Sequence, residues 1–171
     1  SDLKFSQVRH WSWGYRYLGG IKVVLDQLEK ISFVSLLDVG CGDGRFLREI
    51  ALRYSDVKLL GIDKSKRAVS LANAINDRVT YKECDLLENS LNGEFDVATA
   101  IEVIEHIPPD RISVFLEAIA KSIKDKGWLI LTVPHANKVV TDKHYQHFTG
   151  RDFRKLLEPY FIHIHLIPFD V

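Results

Sequence analysis

Methionine is missing from all 171 residues, an initiator included, and cysteine occurs only twice. The first absence leads us to expect a processed or engineered chain, and the second excludes a disulfide framework. Charge of neither sign is in excess, with 23 Lys and Arg against 23 Asp and Glu. Without a basic surplus, counterion release cannot drive binding along a phosphate backbone, so no extended nucleic acid is expected as a partner. No apolar run approaches the roughly 18 residues of a membrane-crossing helix, and no signal-peptide pattern opens the chain. A non-secreted, cytoplasmic protein without membrane contact is therefore expected. What is present is apolar content, 46% of residues, which at this length suffices for one well-buried domain and is short for two.

The chain is organised around Leu36-Leu37-Asp38-Val39-Gly40-Cys41-Gly42-Asp43-Gly44-Arg45-Phe46, the pattern of a buried strand running through a glycine turn into a helix. Glycine at 40, 42 and 44 permits a turn that a Cβ would obstruct. The following helix offers unpaired N–H groups at its first turn. Any nucleotide-type ligand could use such a turn, and two carboxylates narrow the choice. Asp38 stands ahead of the first glycine, where negative charge suits a cationic ligand better than a pyrophosphate. Asp63 closes the next apolar run, Leu59-Leu60-Gly61-Ile62, at the spacing from which an acid accepts both hydroxyls of a ribose. The glycine spacing, G-x-G-x-G, also departs from the G-x-G-x-x-G of dinucleotide-binding turns.

With these motifs the chain, from about Val34 onward, resembles the class I S-adenosylmethionine (SAM)-dependent methyltransferases. The resemblance implies an α/β fold, a Rossmann-like three-layer sandwich whose mostly parallel sheet has strand order 3-2-1-4-5-(7)-6. It implies SAM as cofactor and S-adenosylhomocysteine (SAH) as product. The methionine end would be held by Asp38, Gly40, Cys41, Gly42 and Gly44, the ribose by Asp63 with Lys64, and the adenine by Asp85 and Leu86. Ile101, Glu102 and His106, after the fourth strand, complete the expected cofactor set.

Periodicity supplies the rest. Residues 1–33 form an N-terminal cap and residues 34–171 the methyltransferase domain, the two making a single domain. The aromatic cluster from His10 to Tyr17 is expected in a loop, interrupted by Gly19 and Gly20, that feeds a helix carrying Ile21, Val24, Leu25 and Leu28. Its aromatics either plug one end of the domain or fold over the cofactor, with Tyr15 or Arg16 touching the methionine carboxylate or the substrate. Further helices are expected at 45–54, at 65–76 with Ser65 as N-cap, at 111–124 capped by Asp110, and from Gly150 to about Tyr160 behind a Thr149–Asp152 capping box. Strands are expected at 79–82, at 95–100, at 128–133 after a 125–127 turn, and at 161–169. Their alternation with helices means parallel pairing through right-handed crossovers. The seventh strand of the family has no counterpart, which fits a truncated chain or a branch short at its C-terminus. Cys41 and Cys84 fall on strands separated by a third, roughly 9–10 Å apart and beyond disulfide reach. Asp96, at the start of a strand, is expected to be structural.

Asp38, Gly40, Gly42, Asp63, Asp85 and Glu102 all fall at the carboxyl ends of strands, the rim on which an open parallel sheet binds ligands. Methyl transfer from a sulfonium is an in-line displacement that asks for alignment, and for a base when the acceptor is a hydroxyl or amine. The base candidates are His106, His135, His144 and His147, while His163 and His165 read as surface or packing histidines. Glu102-x-x-Glu105-His106 also resembles a divalent-metal motif of small-RNA 2′-O-methyltransferases and ubiquinone-biosynthesis O-methyltransferases. Its ligands would be Glu102, Glu105 and His106 with His144 or His147. Metal-independent relatives carry the same residues, and no metal is expected. The reading is methyl transfer to a small-molecule acceptor, at oxygen or nitrogen. Its rivals are a metal-assisted RNA ribose methyltransferase, opposed by the balanced charge, and a nicotinamide-dependent oxidoreductase, opposed by Asp38 and the glycine spacing. A third is a non-catalytic SAM-binding subunit, for which an open sheet edge would admit a protein partner or a homodimer.

Overall fold

The central strand of the sheet is the one that runs into the glycine turn. The structure, a computed structural model, describes residues 11–134, 136 and 144–168, with the backbone alone given for residues 11–18. The chain divides into two units, Ser1–Ser32 with Ile167–Val171 and Phe33–Leu166.

In the first unit, one helix, α1 (Trp11–Leu28), runs straight through Gly19 and Gly20, where a loop was expected. Each interior glycine costs a helix about 1 kcal/mol. Ile21, Val24, Leu25 and Leu28 recur on one face of that helix and are all buried. Burial of each such side chain contributes about 1.5–3 kcal/mol, so the apolar stripe outweighs the two glycines.

In the second unit five strands, β1 (Ser35–Val39), β2 (Lys58–Asp63), β3 (Thr80–Glu83), β4 (Phe95–Ile101) and β5 (Ile123–Thr132), lie in the order β3-β2-β1-β4-β5. Every neighbouring pair is parallel, as the alternating strands and helices predict. β1 is buried along its whole length, Ser35 and Asp38 included, whereas β3 at the edge buries only Tyr81. The connecting helices are α2 (Arg45–Arg53), α3 (Lys66–Ile75) and α4 (Ile112–Ser122), followed by α5 (Gly150–Leu157). Strand order reverses between β1 and β4, so right-handed crossovers put α2 and α3 on one face and α4 on the other. Phe115, Leu116 and Ile119 of α4 and Phe153 and Leu157 of α5 share a core with Leu37, Val39 and Ala98 of the sheet. Ser65 caps α3, its hydroxyl accepting from Ala68 N–H at 3.3 Å. Thr149 caps α5, accepting from Asp152 N–H at 3.2 Å and donating to its carboxylate at 2.6 Å.

Three local expectations change. Asp110 makes no cap: Pro109 opens a 3-10 turn, Pro109–Arg111, that leads into α4, because a ring-locked φ suits a first helical position. The 125–127 turn lies inside β5, whose register with β4 jumps from Phe95–Ile123 to Val97–Trp128. Lys126 takes the left-handed conformation there, at φ 65°. The sixth strand does not form over residues 161–168. Its alternating residues are present, with Phe161 and Ile164 packed on the core and Ile162 94% exposed. A strand also needs a partner backbone, and no described strand lies beside it.

Asp96 is structural, as expected. Its carboxylate accepts from Val34 N–H, Ser35 N–H and the Ser35 hydroxyl at 2.9–3.0 Å and from Lys124 Nζ at 2.7 Å. These partners, Lys124 first, hold its pKa down to about 2. They staple the start of β1 to β4 at the end of the sheet away from the glycine turn. Cys41 and Cys84 are both free thiols.

Candidate functional site

The glycine turn needs glycine for two different reasons. Gly40 has φ +72°, and a Cβ there would stand 2.6 Å from Val103 Cγ2. Gly42 has φ +54° with nothing within 4 Å of its Cβ position, so its exposed face is open to a ligand. The turn is otherwise tied down. Gly40 and Cys41 N–H both donate to Ile62 O, at 2.8 and 2.9 Å, and Gly44 N–H donates to Cys41 O before α2 begins.

Three aspartates surround this turn, and each has a donor. Register pairs Asp38 with Gly61 on one side and Thr99 on the other. The Thr99 hydroxyl donates to Asp38 at 2.7 Å. Asp38 is only 3% exposed. Burial pushes its pKa up to about 7, against the Thr99 hydrogen bond and with a further push from the Asp63 charge. Asp63 accepts from Gly42 N–H at 3.0 Å and Ser65 N–H at 2.8 Å, so it joins the turn to the head of α3. Asp85 accepts from Leu87 N–H at 2.9 Å, and Leu86 beside it is buried.

A cavity of about 250 Å³ opens along this rim. Of the residues expected to bind cofactor, Gly40, Asp63, Lys64, Asp85, Leu86, Glu102 and His106 line it, while Asp38, Cys41, Gly42, Gly44 and Ile101 do not. Sequence reasoning missed Val103, Ile107, Pro108 and Phe115, which form its apolar side. The lone Thr99 in an otherwise apolar strand interior was the available signal for a buried hydrogen-bond partner of Asp38. Outside the cavity lining, Arg111 Nη2 donates to Leu87 O at 3.0 Å and to Glu88 Oε1 at 3.1 Å. That ties the Asp85 loop to the turn behind Pro108.

A second cluster follows β4. Glu102 takes φ 53°, and its N–H donates to Thr132 Oγ1 at 3.1 Å while the Thr132 hydroxyl donates to Glu102 Oε1 at 2.9 Å. A 3-10 turn, Ile104–His106, then carries Glu105 inward. Glu105 is fully buried, and neither carboxyl oxygen has a hydrogen-bond partner among the described residues. Burial, and next the negative charge of Glu102, drive its pKa well above the usual carboxylate range. Its backbone carbonyl accepts from Tyr145 N–H at 2.8 Å, which brings the loop after β5 back over the turn.

That loop delivers two histidines. His106 and His144 meet edge to face at 4.8 Å between ring centres, and His144 and His147 lie 5.0 Å apart. One ligand atom from each of Glu105, His106 and His144 lies within 4.8 Å of the others. His144 and His147 share a hydrogen bond, Nδ1 to Nε2, at 2.7 Å. Burial, then the neighbouring His106 and His147, lower the His144 pKa. The candidate base His135 lies outside the described residues, as do the side chains of Tyr15 and Arg16. His163 and His165 are exposed.

A family described as "Methyltransferase domain" matches residues 13–167. The ubiquinone biosynthesis O-methyltransferase of Leptothrix cholodnii is 32% identical over 150 residues, covering 78% of this chain and 62% of that protein. The chain thus spans less than two thirds of such relatives. Among solved structures, the plantazolicin methyltransferase BpumL, in complex with a pentazolic desmethylPZN analog and SAH, superimposes with TM-score 0.70 at 20% identity, over 88% of this chain and 65% of that one. The methyltransferase domain of bacterial CtHen1 does so with TM-score 0.67 at 20% identity, over 84% and 86%. At such identities these two likenesses concern the fold.

Proposed function

This chain belongs to the methyltransferase-domain family, and from that premise we propose that it is a cytoplasmic SAM-dependent methyltransferase acting on a small molecule, at oxygen or nitrogen. The observation that carries the reading is the rim itself. A glycine turn open at Gly42 stands among three aspartates, each fixed by a donor, beside a cavity with one apolar side. SAM supplies a methyl group on a sulfonium that becomes a neutral thioether when the methyl leaves. Asp38, beneath the turn, attracts the cationic methionine end. Asp63 accepts the ribose hydroxyls, and Asp85 accepts from the adenine amino group while Leu86 packs on the ring. His106 and His144 lie toward the acceptor. His144, held neutral by its surroundings, takes the proton that a hydroxyl or amine acceptor must lose.

A second reading is favoured by one observation, the unpartnered buried carboxylate of Glu105. A buried carboxyl beside a second, exposed carboxylate, here Glu102, is relieved by a proton or a cation. Glu105, His106 and His144 bring ligand atoms within 4.8 Å of one another, an oxygen and imidazole donor set that suits Mg, Mn or Zn, although Glu102 is not among the converging groups. A cation held there would act as a Lewis acid on the acceptor oxygen, with His144 as its ligand in place of its role as base.

Calorimetric titration with SAM and SAH, with and without chelator, tests both. Binding of both ligands supports the first reading, and chelator-sensitive methyl transfer supports the second. No binding of either ligand would remove the cofactor assignment altogether.

A further inference from the structure

Neither reading uses His147, yet the shortest contact in the histidine cluster is its hydrogen bond with His144, 2.7 Å between His144 Nδ1 and His147 Nε2. A bond between two imidazoles holds one proton, so it couples their tautomers. His144 is partly buried, and a neutral imidazole carries a single N–H. Its Nδ1 faces His147, and its Nε2 has no hydrogen-bond partner among the described residues. Glu105 and His106 stand on the same cluster.

We infer that His147 is a positioning residue: by accepting the hydrogen bond of His144 Nδ1–H, it fixes the less common tautomer of His144 and leaves the Nε2 lone pair bare. The opposite arrangement, with His147 donating, would put an N–H on His144 Nε2, which can neither take a proton nor bind a cation. The inference rests on the reading that His144 faces the acceptor, and it holds whether His144 acts as base or as ligand. An outer partner that fixes a ligand histidine's tautomer is worth about 10- to 100-fold in metal affinity or activity.

The test is a proton–nitrogen correlation spectrum of the histidine side chains in the chelator-treated, ligand-free chain near neutral pH, which reads each ring's tautomer directly. The wild type should show His144 protonated at Nδ1. His147→Phe, which keeps a ring and removes the acceptor, should return His144 to the Nε2–H form, and His147→Gln, whose side-chain oxygen still accepts, should restore Nδ1–H. An Nε2–H signature for His144 in the wild type overturns the inference without recourse to any variant, and so does an unchanged tautomer in a folded His147→Phe. SAH titration of the same samples separates the two claims: failure of wild-type binding removes the cofactor reading, while the spectrum alone decides the role of His147.

Discussion

The two halves of the rim treat their carboxylates differently. On the side of β1, β2 and β3, Asp38, Asp63 and Asp85 each accept from a hydroxyl or a backbone N–H. On the side of β4 and β5, Glu105 is buried more deeply than any of them and accepts from no group among the described residues. Donors placed in advance make the first half a preformed receptacle, with little left to reorganise when a ligand arrives. The second half is left incomplete, and a buried charge without a partner is costly enough to stay neutral or to wait for a counter-charge. On the proposed reading, cofactor recognition would be built into the fold, whereas the acceptor side would be completed by what binds there.

The largest expected effect breaks the preformed half. Asp63→Ala removes two charge-assisted bonds, to Gly42 and Ser65, and should lower stability by about 3 kcal/mol and abolish SAH binding. Denaturant unfolding with calorimetric titration checks both, and retained SAH affinity would show that Asp63 is no part of the receptacle. The converse holds for the other half. Glu105→Gln gives the carboxylate of Glu102 a donor and should raise stability by about 1–3 kcal/mol while methyl transfer falls. A lower thermal midpoint for that variant would mean that Glu105 has a partner after all.

A smaller effect concerns pH. With a pKa raised to about 7 by burial, Asp38 is protonated below that value and its attraction for the cationic methionine end is lost. SAH affinity should therefore fall as pH drops through about 7, by at most about tenfold per pH unit for one linked proton, and level off above. Asp38→Asn should bind weakly with no such slope, and a slope that survives in this variant would assign the proton elsewhere. Smallest is Arg111→Leu, which releases the Asp85 loop from the turn behind Pro108. Its pair with Glu88 is exposed, so SAH affinity should weaken by about 1 kcal/mol, and amide exchange should quicken at residues 85–89 alone.

Much of this rim could be read along the chain because its parts are local. A strand, a turn and a helix N-terminus are neighbours in sequence, and positive φ at Gly40, Gly42 and Gly44 is what their spacing foretells. The caps of α3 and α5 were legible for the same reason, since each reaches only three residues. The glycines misled at α1, where an apolar stripe overrode a weak local preference. The alternation of 161–168 misled for the opposite reason, because a strand pattern is only a capacity to pair and these residues join no described sheet.

Local chemistry therefore settled the core strands and helices, the glycine turn and the places of the three aspartates, since spacing of 2 and 3.6 residues and the needs of a tight turn act within a few positions, while the strand order was implied by the family resemblance. Tertiary structure alone decided the partners. Thr99 reaches Asp38 across 61 residues through the register of two parallel strands. Glu105 meets His144 only because the loop after β5 folds back onto its backbone carbonyl. Distances between such groups depend on packing that no short stretch of sequence contains, and the charge of a buried carboxyl depends on those distances.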